Sequence, residues 1–91
     1  MKKRVELKII GRVQGVFFRS EVRRVAHNLG LTGRVNNEND GSVKIVAEGE
    51  EPALQKLIDW CKKGTKRSQV ERVDAEWQEA TGEFADFEII S

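Results

Sequence analysis

Two stretches of the chain carry an apolar stripe at helical spacing, and neither stripe is wide enough to be buried without a partner. Val22, Val25, Ala26 and Leu29 fall at i, i+3, i+4 and i+7, and so do Leu54, Leu57, Ile58 and Cys61. A one-sided helix needs a flat apolar surface to lie on. The flanking segments supply it. Val5, Leu7 and Ile9 alternate with Glu6 and Lys8, and Val43, Ile45 and Ala47 alternate with Ser42, Lys44 and Val46. Val73, Ala75 and Trp77 do the same within Gln69–Gln78. Period two is the mark of a strand with one buried face.

Leu31–Asn37 reads as a more polar strand, and Phe84–Ile90 as a last one with Ala85, Phe87 and Ile89 on one side. The punctuation agrees. Gly11 ends the first strand, the first helix runs from Ser20 onward, and Gly30 and Gly64 close the helices. Pro52 opens the second helix, where its missing N–H costs nothing. Asn39-Asp40-Gly41 predicts a hairpin. The order is β-α-β-β-α-β with an additional C-terminal strand. That predicts an α+β, ferredoxin-like (split βαβ) sandwich, with two helices on one face of an antiparallel sheet. With 91 residues, no linker and no repeat, residues 1–91 are expected to form a single domain.

Sixteen Lys+Arg against fifteen Asp+Glu leave a net charge of +1, which gives no bulk attraction to nucleic acid or membrane. An RNA-recognition domain would stack bases on aromatics of its central strands, and Val5–Ile10 and Ser42–Ala47 hold none. Cys61 is the only cysteine, so no intrachain disulfide and no Cys-only zinc site can form, which fits a reducing compartment. No apolar run reaches the ~18–20 residues of a membrane span, and no signal-peptide pattern follows Lys2-Lys3-Arg4. The expectation is a cytoplasmic monomer with no nucleic-acid or membrane partner.

Gly11 to Arg19 joins the first strand to the first helix. A helix N-terminus offers N–H groups without intrahelical partners and a positive dipole end, which together favour phosphate or carboxylate. Gly11 and Gly15 let the backbone curl, and Arg19 could meet phosphate oxygens with its planar guanidinium. Spacing alone leaves two readings open: a turn with a surface charge, or a small-anion site. Neither Gly-x-Gly-x-x-Gly nor the Gly-Lys-Ser/Thr end of a nucleotide loop is present.

The segment Gly11-Arg12-Val13-Gln14-Gly15-Val16-Phe17-Phe18-Arg19 resembles the first signature of the acylphosphatases, Gly-x-Val-Gln-Gly-Val-x-Phe-Arg, at every fixed position. Gly33, Val35, Asn37, Gly41, Val43 and Gly49 match the second signature of that family in register. Arg34 and Asn36 depart from it, standing where an aromatic and a basic or long residue are usual. The resemblance implies hydrolysis of a carboxyl–phosphate anhydride to carboxylate and inorganic phosphate. It gives Arg19 and the backbone amides of Gln14, Gly15, Val16, Phe17 and Phe18 the phosphate, and Asn37 the attacking water. The division is physically sound, because phosphoryl transfer asks mainly for positioning and charge stabilisation. A carboxamide can orient a water but is no strong base. None is required, because a substrate phosphate oxygen can take the proton. Neither a metal nor a cofactor is expected.

Other residues read as structural. His27 fits a solvent-edge or packing role, Cys61, Trp60 and Trp77 fit packing, and Arg12, Arg23 and Arg24 fit solvated surface charges. The alternative function is a non-catalytic ferredoxin-like module that holds an anion or a partner on the same loop.

Overall fold

Alternation becomes a strand where one face of the pleat can lie on the helices. In β1 (Lys2–Arg12) Val5, Leu7 and Ile9 are buried, while Glu6 and Lys8 face the other way. The computed structural model describes residues 1–90. It continues with α1 (Phe18–Asn28), β2 (Thr32–Asn37), β3 (Val43–Glu50), α2 (Glu51–Lys63), β4 (Gln69–Glu79) and β5 (Phe87–Ile89). The strands stand in the order β4-β1-β3-β2-β5. β1 is antiparallel to both β3 and β4, and β2 is antiparallel to β3.

This is the ferredoxin-like order expected. Val22 and Ala26 of α1 and Leu54, Leu57, Ile58 and Cys61 of α2 bury their stripes on Val5, Leu7, Val35, Ile45 and Ala47 in one core. Each large side chain so buried contributes about 1.5–3 kcal/mol over its exposed state. The first helix starts at Phe18, two residues before Ser20. Among the described residues no helix is long and apolar enough to cross a membrane.

The antiparallel sheet needs one correction. β5 pairs parallel to β2, with Gly33 opposite Phe87 and Val35 opposite Ile89. The direction follows from the path, because the chain turns back after β4 and so runs against β4 and with β2. Residues 80–86 make this crossing over the face opposite the helices. There the N–H groups of Thr81 and Gly82 donate to Glu48 at 2.9 and 3.0 Å, and Arg4 donates to Glu48 at 3.2 Å and Glu83 at 2.7 Å. The Phe84 ring lies 5.6 Å from the Arg4 guanidinium and 5.7 Å from that of Arg34. The strap therefore buries Val46 and Glu48 of β3, which alternation alone would leave solvated.

The strap also shortens the last strand. Phe84 and Ala85 belong to the crossing, and only Phe87–Ile89 pair. Asp86 marks the change, since its carboxylate accepts from the Phe87 N–H at 2.8 Å and its carbonyl from the Gly33 N–H at 2.9 Å. Of the residues read as packing, Trp60 stacks at a tilt on Phe18 with centroids 5.5 Å apart. Trp77 lies on the outermost strand and stays 41% exposed, so it is not a core residue.

Candidate active site

The segment between β1 and α1 is shaped at both ends by close backbone contact. The ladder between β1 and β4 shifts register at Ile10/Gly11. Gly11 has φ 140°, and a Cβ there would strike the Gln69 carbonyl. Val13 then drops into the core and fixes the first turn of the loop. Gln14 reaches sideways, its Nε2 donating to the carbonyls of Glu38 and Ser42, both at 2.8 Å. These two residues close the β2–β3 hairpin, where the Glu38 N–H donates to the Ser42 carbonyl at 2.8 Å. The loop is thus tied to the hairpin directly beside Asn37.

Past Gln14 the backbone turns through two left-handed residues. Gly15 has φ 73°, and Phe17, the only non-glycine with positive φ among the described residues, has φ 60° and ψ 19°. A left-handed Phe is strained, and such strain persists only where the surroundings impose it. Val16 and Phe18 provide the anchorage, one packed against the core and the other buried within it. Among the described residues, the backbone N–H groups of Gln14 to Ser20 donate to no protein acceptor; the first such bond entering the helix runs from Glu21 to the Phe17 carbonyl. They are unpaired donors at the positive end of α1.

A cleft of about 340 Å³ opens here, walled by Val13, Gly15, Phe17, Arg19, Ser20 and Ile89. Arg19 is half-buried and makes no ion pair or hydrogen bond with any described residue, so its guanidinium is the cleft's one charge. Ile89 was invisible as a site residue in the sequence. It arrives only because β5 joins the edge of β2, and no local pattern reports that pairing.

Asn37 ends β2 opposite Val43, on the same face as buried Val35 and hence toward the helices. Its Oδ1 is buried and has no hydrogen-bond donor among the described residues. It does not wall the 340 Å³ cleft itself; Gln14 is what connects it to the loop. Asn36 faces the other way, donating through Nδ2 to Glu38 Oε2 at 2.8 Å. Arg34 shares that face, beside Phe84. Both departures from the signature therefore lie on the side of the sheet remote from the helices.

The remaining candidates are held elsewhere. Burial pushes the Cys61 thiol up to about 12, which removes it as a nucleophile. His27 pairs with Asp86 at 3.0 Å, Arg23 donates to the Phe87 carbonyl at 3.2 Å, and Arg24 pairs with Glu21 at 2.7 Å. A second depression, on the strap side of the sheet, sets Glu6, Glu38, Asp74 and Glu76 against Lys8 and Lys44, an excess of carboxylate that opposes anion binding. Among the described residues no group of three or more His, Cys, Asp or Glu is placed to hold a metal ion.

The same fold and motifs recur in known proteins. Residues 5–89 match the family described as Acylphosphatase. The acylphosphatase of Pelotomaculum thermopropionicum is 45% identical over 86 residues, which is 94% of this chain and 94% of that one. That of a Roseiflexus species is 46% identical over 87 residues, 96% of this chain and 94% of that one. The crystal structure of acylphosphatase from Bacillus subtilis superposes with a TM-score of 0.94 at 35% identity, covering 98% of this chain and 99% of that one. With that similarity covering nearly the whole chain, the chain belongs to the acylphosphatase family and is an acylphosphatase, acting on small-molecule acyl phosphates and releasing phosphate.

Proposed function

We propose that the reaction is carried by Arg19, Asn37 and the backbone amides of Gln14, Gly15, Val16, Phe17 and Phe18. The amides and the guanidinium take the phosphoryl oxygens, and the Asn37 carboxamide orients a water for in-line attack on phosphorus. The water oxygen bonds to phosphorus as the bond to the acyl oxygen breaks. The carboxylate leaves with that electron pair, and the water's proton passes to a phosphate oxygen. Developing charge on the equatorial oxygens is met by preorganised donors, the largest electrostatic contribution available to such a site.

The observation that carries this reading is the coincidence, on the loop that walls one cleft, of a guanidinium and a run of N–H groups that meet no counter-ion and no acceptor among the described residues. Asn37 Oδ1, buried and without a donor among the described residues, supports the water's place. We further propose that residues 1–91 act as one domain, as a cytoplasmic monomer without nucleic-acid or membrane partners. Glu71, Arg72, Asp74, Glu76 and Glu79 along the edge strand β4 favour the monomer, because charges there discourage edge-to-edge pairing.

The test is steady-state hydrolysis of acetyl phosphate, set against a phosphate monoester, with inorganic phosphate as competitive inhibitor. Arg19→Ala is expected to lose turnover and inhibition together. Asn37→Ala is expected to lose turnover while phosphate still binds. If Asn37→Ala abolishes inhibition and Arg19→Ala does not, the two roles are wrongly assigned.

A further inference from the structure

Phe17 carries two costs at one position. Its backbone is left-handed, which a glycine or asparagine would adopt more cheaply, and the residue is 72% exposed. Nothing in the packing of the loop asks for an aromatic there, since Val13, Val16 and Phe18 already anchor it. A second apolar side chain, Ile89, is 38% exposed on β5 and lines the same cleft. It is held in place by the pairing of β5 with Val35 and by the Ile90 N–H donating to the Val35 carbonyl at 2.9 Å.

The wall they belong to includes Arg19, Ser20 and the exposed Gly15, but among the described residues no carboxylate and no second cation. The complementary ligand is a phosphate joined to an apolar body. In an acyl phosphate the acyl substituent stands one carbonyl away from the bridging anhydride oxygen, so a phosphate gripped by Arg19 brings that substituent to the neighbouring wall. We infer that Phe17 and Ile89 form an apolar lip that receives the acyl group, selecting acyl phosphates with aromatic or branched aliphatic acyl chains over acetyl phosphate and over those bearing a second carboxylate. A second carboxylate would be desolvated against the lip with no cation to meet it. Apolar acyl groups instead shed water from surface that both partners expose. This rests on the phosphate-site reading above and adds to it the other half of the substrate.

The experiment compares kcat/KM for benzoyl phosphate with that for acetyl phosphate in the wild type, Ile89→Ala and Phe17→Asn. The ratio is the readout because loss of fold lowers both rates together, whereas loss of the lip lowers one. Asparagine tolerates the left-handed backbone, so the loop variant tests the ring without adding strain. Each variant is expected to lower the benzoyl-to-acetyl ratio by about tenfold, the scale on which a pocket discriminates by a small apolar group, through a rise in KM for benzoyl phosphate. If acetyl phosphate is hydrolysed and neither variant moves the ratio, the lip is wrong and the phosphate site stands. If the folded wild type turns over neither compound, the phosphate-site reading fails and the lip with it.

Discussion

Arg4 and Arg19 lie in the same small fold and meet opposite surroundings. Arg4 sits under the strap with Glu48 at 3.2 Å, Glu83 at 2.7 Å and Glu6 at 3.5 Å, and with the Phe84 ring beside it. The backbone N–H groups of that region, from Thr81 and Gly82, are spent on Glu48 as well. Arg19 has no carboxylate partner among the described residues, and the N–H groups around it are equally unspent. Both regions assemble the same donors. Only one supplies the acceptor from within the described residues, and in the function proposed the other receives it from the substrate. An arginine is therefore read as structural or functional from what its donors meet, not from its burial.

The largest expected effect exchanges the two. Arg19→Ala lowers kcat/KM by on the order of 10³ with little change in unfolding midpoint, since its guanidinium bonds to no described protein group. Arg4→Met leaves turnover intact and destabilises the fold by about 2 kcal/mol, less than a fully buried pair because Glu83 is half exposed to water. Turnover and urea denaturation on both variants decide it, and the comparison breaks if the two losses are interchanged. Next comes the register of β2. Asn37→Ala is expected to cost about 10² in kcat, whereas Asn36→Ala, on the strap side of the sheet, changes it by no more than about twofold. A larger loss from Asn36→Ala would place the water on the wrong face.

Gln14→Leu removes two hydrogen bonds between loop and hairpin, and is expected to lower kcat by about tenfold by loosening Asn37 relative to the phosphate. An unchanged rate would show that the two halves of the site are aligned by the core alone. The smallest effect concerns pH. Burial alone would raise the Glu48 carboxyl, but the N–H groups of Thr81 and Gly82, the Thr81 hydroxyl and Arg4 outweigh it and hold it below the ordinary glutamate value. The Arg4 hydrogen bond, with one from Thr81, lowers Glu83 likewise. Carboxyls depressed in the folded state lend stability that is complete above the ordinary value of 4.5 and drains as pH falls through their folded values. The thermal midpoint should fall once pH drops below that ordinary value, less steeply in Glu48→Gln. Parallel slopes would remove Glu48 from the acid response.

Most of the fold was legible because each helix and the strands β1, β3 and β4 carry their own period, from Val5, Leu7 and Ile9 to Leu54, Leu57, Ile58 and Cys61. The parallel entry of β5 was not, since it depends on Glu48 capturing Thr81 and Gly82 more than thirty residues away, and single-residue alternation is silent about such contacts. The same strap explains why Val46 is buried on the face that alternation assigns to water. In the proposed site, the amides and Arg19 were visible as a motif because they are contiguous. Gln14 was legible only as a backbone donor, because its side chain acts on a hairpin distant in sequence. Ile89 and the left-handed Phe17 were hidden for the same reason, one set by strand pairing and the other by packing on both sides.

The difference between the two arginines is tested most directly by titrating the ¹⁵N-labelled protein with inorganic phosphate and following every backbone amide. The account predicts saturable shifts concentrated at Gln14 to Arg19, with Thr81 and Gly82 unmoved because Glu48 already occupies them. Shifts centred on the strap, or spread over the lysine-bearing face of β1 with the loop silent, would contradict it.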